Sequence, residues 1–458
     1  MKAELRALAA GPYIEGWQKQ AGAQTSPSIT RRFLVDDHGA RGDGTTLSTV
    51  FIQKTIDAAA AAGGGVVEFS PGRYVTGSLF IKSNVHLHVG KDVVLLGAEA
   101  DEAWPMIFTR AAGVEMQWRA ALFNVRDQEN VSITGEGVVD ARGKRWWDRF
   151  WNSLPEAEKQ GIRWAIDFDI ARPHLIQIHE SQNVTVRGLT LHNSPFWTID
   201  VVYSKYVTVD GVTIRNNLAG EGPSTDGINI DSSAFVAVRN CDVDCNDDCY
   251  CFKAGMNADG FRVNLPAQYS LFEHNIARRG HGGITLGSDM SGGIRYVEAT
   301  GLRCYGTDTG IRFKSAKIRG GEVRDVLIQG VQMEQVGVAF LASLNWFPKY
   351  SYPEIPEGRT DVPAHWHVLV EKIPADKAIP WFHDITIRDV NATGSETAFD
   401  VEGLSEKPLE NIRLENIQIS AKKAGRIVHA KNWSFHGLRM DAADERPVSV
   451  EHSTDVAC

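Results

Sequence analysis

A chain of 458 residues with 43% apolar and 23% charged residues has the make-up of an ordinary globular protein. Its net charge of −9, without a basic stripe, excludes nucleic acid as the expected partner; a few cations focused in one cleft can still hold an acidic ligand. No apolar run approaches the roughly 20 residues of a membrane helix, and Met1-Lys2-Ala3-Glu4 opens no signal-peptide core, so neither a membrane nor a leader is expected.

Residues 1–30 read as an irregular lead-in, with turn signals at Gly11-Pro12 and from Gln24 to Ser28. Phe33-Leu34-Val35 is a short strand. The glycine-rich stretch Gly39 to Gly44 lacks both the Gly-Lys-Ser/Thr and the G-x-G-x-x-G spacing of phosphate loops and reads as a turn. Leu47 to Ala62 is predicted as a helix. Val50, Ile52, Ile56 and the alanines follow helical spacing, and Gly63-Gly64-Gly65 stops it.

From about residue 79 the pattern becomes short β-rich runs separated by Gly, Asn and Ser. Asn183-Val-Thr-Val-Arg-Gly-Leu-Thr-Leu-His-Asn193 repeats as Tyr206-Val-Thr-Val-Asp-Gly-Val-Thr-Ile-Arg-Asn216, 23 residues on, and again from Phe235, a further 29 on. Fainter copies start at Asn130, Ile385 and Ile412. Repeats of ~20–50 residues mean stacked architectures. The absence of predicted helices between the strands excludes βαβ winding, and the 23-residue offset is too short for a four-stranded propeller blade. The remaining solution is an all-β, single-stranded parallel β-helix, each coil ~4.8 Å above the last, with 47–62 as its N-terminal capping helix. The expected boundaries are a lead-in over 1–30, a β-helix over 31–440 and a polar tail over 441–458 that drapes or frays.

Six cysteines are present, four of them (Cys241, Cys245, Cys249, Cys251) within eleven residues. Their C-x3-C-x3-C-x-C spacing lacks the C-x2-C pairs of a zinc site and reads as small residues stacked inside a coil. Two stretches break the rhythm: 141–172, with Trp146, Trp147, Trp151 and Trp164, and 343–382, with Trp346, Phe347, Tyr350, Tyr352, Trp366 and Trp381. They are either packing against the solenoid wall or aromatic walls beside a saccharide cleft.

Between Ser224 and Lys314 lie four polar signatures, each joined to a strand: Ser224-Thr225-Asp226-Gly227, Asn246-Asp247-Asp248-Cys249, Gly280-His281-Gly282 and Arg312-Phe313-Lys314. Alone, each reads as a turn or a solvated strand face. Stacked at coil-like intervals, Asp226, Asp247, Asp248, His281, Arg312 and Lys314 would share one outer wall. Crowded carboxylates raise one another's pKa and keep one protonated, which glycoside hydrolysis needs of its acid. Arg312 and Lys314, two apart on a strand, share a face and suit a substrate carboxylate.

This set resembles the polygalacturonase family, glycoside hydrolase family 28, whose pattern is Asn-Thr-Asp, Asp-Asp, Gly-His-Gly and Arg-Ile-Lys. The Gly39–Gly44 loop, the helix and Gly63-Gly-Gly-Val-Val67 are similar to the start of many pectin-active β-helices. Ser224 stands where the family often has Asn, and Phe313 where it has Ile. The resemblance implies a right-handed parallel β-helix of the pectin-lyase-like kind and an inverting hydrolase of α-1,4-galacturonosyl bonds. It makes Asp247 the general acid, Asp226 and Asp248 the pair that activates water, His281 the support of the acid, and Arg312 and Lys314 the carboxylate binders, with no metal or cofactor. The runs Lys253 to Gly260 and Gly287 to Gly293 look like bacterial, exo-acting members, and the 141–172 insertion could close one end of the cleft. A periplasmic or secreted monomer acting on an acidic polysaccharide or oligosaccharide goes with that resemblance. The rival readings are a pectate-lyase-like eliminase with calcium and an Arg or Lys base, and a β-helical glycan-binding module without turnover.

Overall fold

In the computed structural model, which describes residues 1–28 and 30–457, the chain winds into a parallel β-helix. Three ladders of parallel strands run its length. One ladder carries Phe123–Arg126, Ile176–His179, Ile199–Val202, Ile228–Asp231, Asp248–Lys253, Gly282–Leu286 and Thr309–Lys314. The repeats predicted from sequence are its register in the next ladder: Thr185 pairs Thr208, and Val207 pairs Val236.

Alternation makes the core. Ile178, Val201, Ile230, Phe252, Leu286 and Phe313 occupy one inward row and are buried, because successive side chains of a strand face opposite ways. The repeat also sets a corner. Asn84, Asn130, Asn183, Tyr206, Phe235, Tyr269 and Tyr296 all take left-handed φ of 53–63°, and Asn130 donates its amide N–H to the Asn84 amide oxygen. Further along, the same corner stacks Tyr206, Phe235, Tyr269 and Tyr296 with ring centroids 4.9–5.1 Å apart.

The capping helix runs Thr49–Ala61, two residues later than predicted, since Leu47 still belongs to the strand Asp43–Leu47. It buries Ile52, Ile56 and Ala59 against the first coil; Val50, assigned to the apolar face, is 75% exposed. Gly63, Gly64 and Gly65 end it with φ of 87°, 119° and 152°.

Three expectations are corrected. The lead-in is not irregular: Lys2–Ala10 is a helix, and with Trp17 it packs Leu5 onto Val202, Tyr203 and Phe235. The tail is not draped: Ser449–Glu451 and Thr454–Ala457 pair with the preceding coil and extend the solenoid. The two interruptions hold helices, Lys144–Lys159 and Ala364–Val370 among them. Cys241, Cys245, Cys249, Cys251 and Cys304 are unpaired and buried in the coils, with Cys245 and Cys249 sulfurs 3.8 Å apart, which is the stacked packing expected of them. Cys458 lies outside the described residues.

Candidate active site

The first ladder presents the four signatures on its outer face. Asp226 sits just before Ile228–Asp231, Asp247 and Asp248 open Asp248–Lys253, His281 precedes Gly282–Leu286, and Arg312 and Lys314 lie on Thr309–Lys314. Asp226, Asp247, His281, Arg312 and Lys314 line one cleft of about 450 Å³, and Asp248 forms its buried floor. The structure therefore brings together all six residues singled out from sequence.

Asp248 is held from both sides: Arg312 Nη1 donates to Oδ1 at 3.0 Å and the Lys314 ammonium lies 2.6 Å from Oδ2. Thr285 Oγ1 also donates to Oδ1, at 2.8 Å. Burial works to raise this carboxyl, but the two cations hold it far below the usual range. Asp247 faces His281, with Oδ1 3.6 Å from Nδ1. Burial raises it too, yet the imidazole holds it at about 2. The same pairing lifts His281 against its own burial, so the two are a carboxylate and an imidazolium.

Asp226 behaves differently. It is 2% exposed, and burial together with the Asp247 charge lifts it to about 7. Lys253, whose ammonium is 3.4 Å from Asp226 Oδ2, opposes that rise. Burial, helped by the neighbouring carboxylate charge expected from sequence, raises one carboxyl of the cluster to about 7, and it is Asp226. Asp247 is exposed to the cleft through 24% of its side chain and Asp226 through only 3%, so the neighbour better placed to meet a ligand is the ionised one.

Asp226, Asp248 and Cys251 each bring a donor atom within 4.8 Å of the others, a spacing a metal ion could use. An ion there would confront the ammoniums of Lys253 and Lys314 and the Arg312 guanidinium, and burial keeps the Cys251 thiol protonated well above its ordinary range. Charge repulsion argues against a cation at this spot.

Several lining residues went unrecognised in the sequence. Lys253 was noted only for its resemblance; its chain passes under the site and its ammonium sits 4.4 Å over the Trp197 ring. Phe196 and Trp197 line the cleft, as do Arg163 and Asp167, which pair at 2.7 Å. The aromatic stretches divide. Trp346, Phe347 and Tyr350 line the cleft, with Trp346 lying 4.5 Å from the Lys314 ammonium, whereas Trp146, Trp147, Trp164 and Trp366 are buried packing.

The 141–172 insertion borders the cleft through Arg163 and Asp167, and a second element joins it. An antiparallel hairpin, Met106–Ala111 with Val114–Arg119, lies across the outer face of the ladder. Thr109 donates to Gln177 at 2.7 Å, Arg110 to Asp231 at 2.8 Å, and its tip residue Ala112 lines the cleft. The helix Lys144–Lys159 packs beside it through Phe150, which shares a buried cluster with Trp118 and Phe196. Nothing in the hairpin's own sequence announces this placement, since its partners lie some 60 to 120 residues downstream.

Known proteins share this arrangement. The family model for glycosyl hydrolases family 28 matches residues 106–346, from the hairpin to Trp346. A probable polygalacturonase of Vitis vinifera is 29% identical over 402 residues, covering 85% of this chain and 75% of its own. An exo-poly-alpha-D-galacturonosidase of Dickeya chrysanthemi is 26% identical, covering 90% and 71%. Among solved structures, a hyperthermoactive exopolygalacturonase from Thermotoga maritima superposes with a TM-score of 0.71 at 25% identity over 96% of each chain. The matched segment covers more than half of the chain and contains the whole cluster of carboxylates and cations, and on that ground the chain belongs to glycosyl hydrolases family 28.

Proposed function

We propose that this protein hydrolyses α-1,4-galacturonosyl bonds of pectic polysaccharide or its oligosaccharides, from a chain end and with inversion. The observation that carries the reading is the pairing of Asp248 with Arg312 and Lys314 beside two further carboxylates, in a cleft bordered by Ala112 of the hairpin and by Arg163 and Asp167 of the 141–172 insertion. Arg312 and Lys314 both line the cleft, which sets two cations within reach of a sugar carboxylate. A binding module has no need of this carboxylate cluster, and an eliminase would want a calcium site where ammoniums stand.

In this mechanism Asp247 protonates the leaving oxygen, Asp226 and Asp248 orient and deprotonate the attacking water, and His281 positions Asp247. Arg312 and Lys314 hold the galacturonate carboxylate, and Trp346 offers a face for a sugar ring. The cluster needs one carboxyl proton in all. Asp226, the carboxyl raised to about 7, holds it; the reaction uses it on Asp247, one transfer away. The pair therefore titrates as a unit.

The active form carries that proton, and its holder is raised to about 7. As pH rises through 7 the proton is lost, so kcat/KM is expected to be level below about 7 and to fall about tenfold per pH unit above it. A profile that stays flat to markedly alkaline pH would contradict the shared proton.

The reading is tested by reducing-sugar release on polygalacturonate with sizing of the first products. Galacturonic acid should dominate from the earliest times. Mixed oligomers would overturn end-wise cutting, and an unsaturated, ultraviolet-absorbing product would replace hydrolysis by elimination. A periplasmic or secreted monomer is part of the same proposal, because the polymer is met outside the cytoplasm.

A further inference from the structure

A second hollow is larger than the cleft. About 870 Å³ lies between the helix Lys2–Ala10, the short helix Asn257–Val263, the corner around Gly292 and Trp381. It shares no lining residue with the cleft, from which the corner Gly287 to Gly293 separates it. A hollow of this size takes a ligand of several sugar rings.

Its charge runs against that of the whole protein. Five cations line it, Arg6, Arg262, Arg295, Lys377 and Lys407, against two carboxylates, Glu322 and Asp376. Arg262 is neutralised by Asp259 and Glu115, each at 2.5 Å. Glu322 is neutralised by Arg324 at 2.8 Å and faces His383 at 3.7 Å. Arg295 donates to the Gln268 amide oxygen and the Ala9 carbonyl, and Lys407 to the Ile379 carbonyl, which leaves both charges uncompensated. Arg6 and Lys377 are exposed and have no ion-pair partner among the described residues. Four uncompensated cations thus line it against one such carboxylate, Asp376, on a chain of net charge −9. Like charges gathered in one concavity repel one another, so the arrangement costs stability unless an anion occupies it. Trp381 adds an indole, and the exposed Asn264 adds a polar group suited to hydroxyls.

We infer that this hollow is a second binding site for the acidic polysaccharide, holding a uronate stretch remote from the bond being cut. The inference rests on the galacturonan reading of the cleft. Spread cations, an indole and a partner for hydroxyls fit a chain that carries one carboxylate per sugar; a lone phosphate would call for convergent donors. Holding the polymer there raises the effective concentration of its ends at the cleft.

The test is the full chain carrying Lys377→Glu and Lys407→Glu, both outside the cleft. KM on polygalacturonate should rise about tenfold, with kcat on the polymer and both constants on digalacturonate unchanged. Binding of a long oligogalacturonate by the wild type should weaken with added salt as screening grows, and less so in the double variant. The Lys377→Arg/Lys407→Arg protein should keep the wild-type KM. An unchanged polymer KM in the charge-reversed protein overturns the second site, and so does an equal rise on digalacturonate. Failure of the wild type to turn over digalacturonate at all would instead overturn the reading of the cleft.

Discussion

Asp247→Asn is expected to lower kcat on polygalacturonate by about 10²–10⁴-fold, with little change in KM or melting temperature. Asparagine keeps the shape and can still accept the Asp248 backbone N–H that Asp247 Oδ1 receives at 2.9 Å. It cannot deliver a proton. At about 1.4 kcal/mol per factor of ten, the loss corresponds to roughly 3–5 kcal/mol of transition-state stabilisation. That is well above the 0.2–1 kcal/mol of an exposed ion pair, such as the 3.9 Å approach of His281 to Asp308, whose side chain is 71% exposed. A second readout separates chemistry from damage. The Asp247 charge is one reason Asp226 stands near 7, and without an acid to receive its proton the variant needs Asp226 ionised, so the alkaline limb should disappear from any residual activity. Near-normal turnover would sink Asp247 as the acid. A limb that persists would mean that the two carboxyls do not share a proton.

The sequence shows the ladder and hides what lies on it, for one physical reason. Thr185 over Thr208, and Asp226, Asp247 and Asp248 around one point, follow from a repeat: equal offsets become vertical neighbours once coils stack. Stacking needs no knowledge of distant contacts, so the six site residues could be placed before any coordinates were seen. The helix Lys2–Ala10 is the opposite case. Its residues are good helix formers, but nine of them are too few to hold a helix alone, and docking Leu5 on Tyr203 and Phe235 completes it. Lys253 sits at the far end of a strand already marked by Asp248, but alternation alone cannot say that its ammonium curls under Trp197 to meet Asp226. The tail Ser449 to Ala457 reads as polar and frayed because its side chains are largely exposed; what holds it is backbone pairing to the previous coil, which side-chain pattern does not record.

The hairpin that borders the cleft is held in part by a buried ion pair, which makes its role testable. Arg110 and Asp231 are each 1% exposed and meet at 2.8 Å, with Arg110 also donating to Ser232 Oγ at 2.8 Å and lying over the Tyr203 ring. The pair is incompletely satisfied: Arg110 Nε and Nη2 and Asp231 Oδ2 have no protein partner. Such a pair adds little net stability, because desolvation offsets its attraction. Removing one member is another matter. Burial already pushes Asp231 upward, and only the guanidinium opposes it strongly. Arg110→Met is therefore expected to destabilise the protein by about 3–5 kcal/mol, read as a lowered melting temperature, while Arg110→Met with Asp231→Leu should recover most of the loss. The functional consequence follows from position. Arg110 pins the hairpin whose tip, Ala112, borders the cleft. Loosening it in the single variant should let longer products appear beside galacturonic acid, and the repacked double variant should return to monomer release. If the single variant is destabilised but still releases monomers alone, the hairpin packs against the solenoid without setting where the chain is cut, and the helix Lys144–Lys159 with Trp346 and Phe347 must bound the cleft without it.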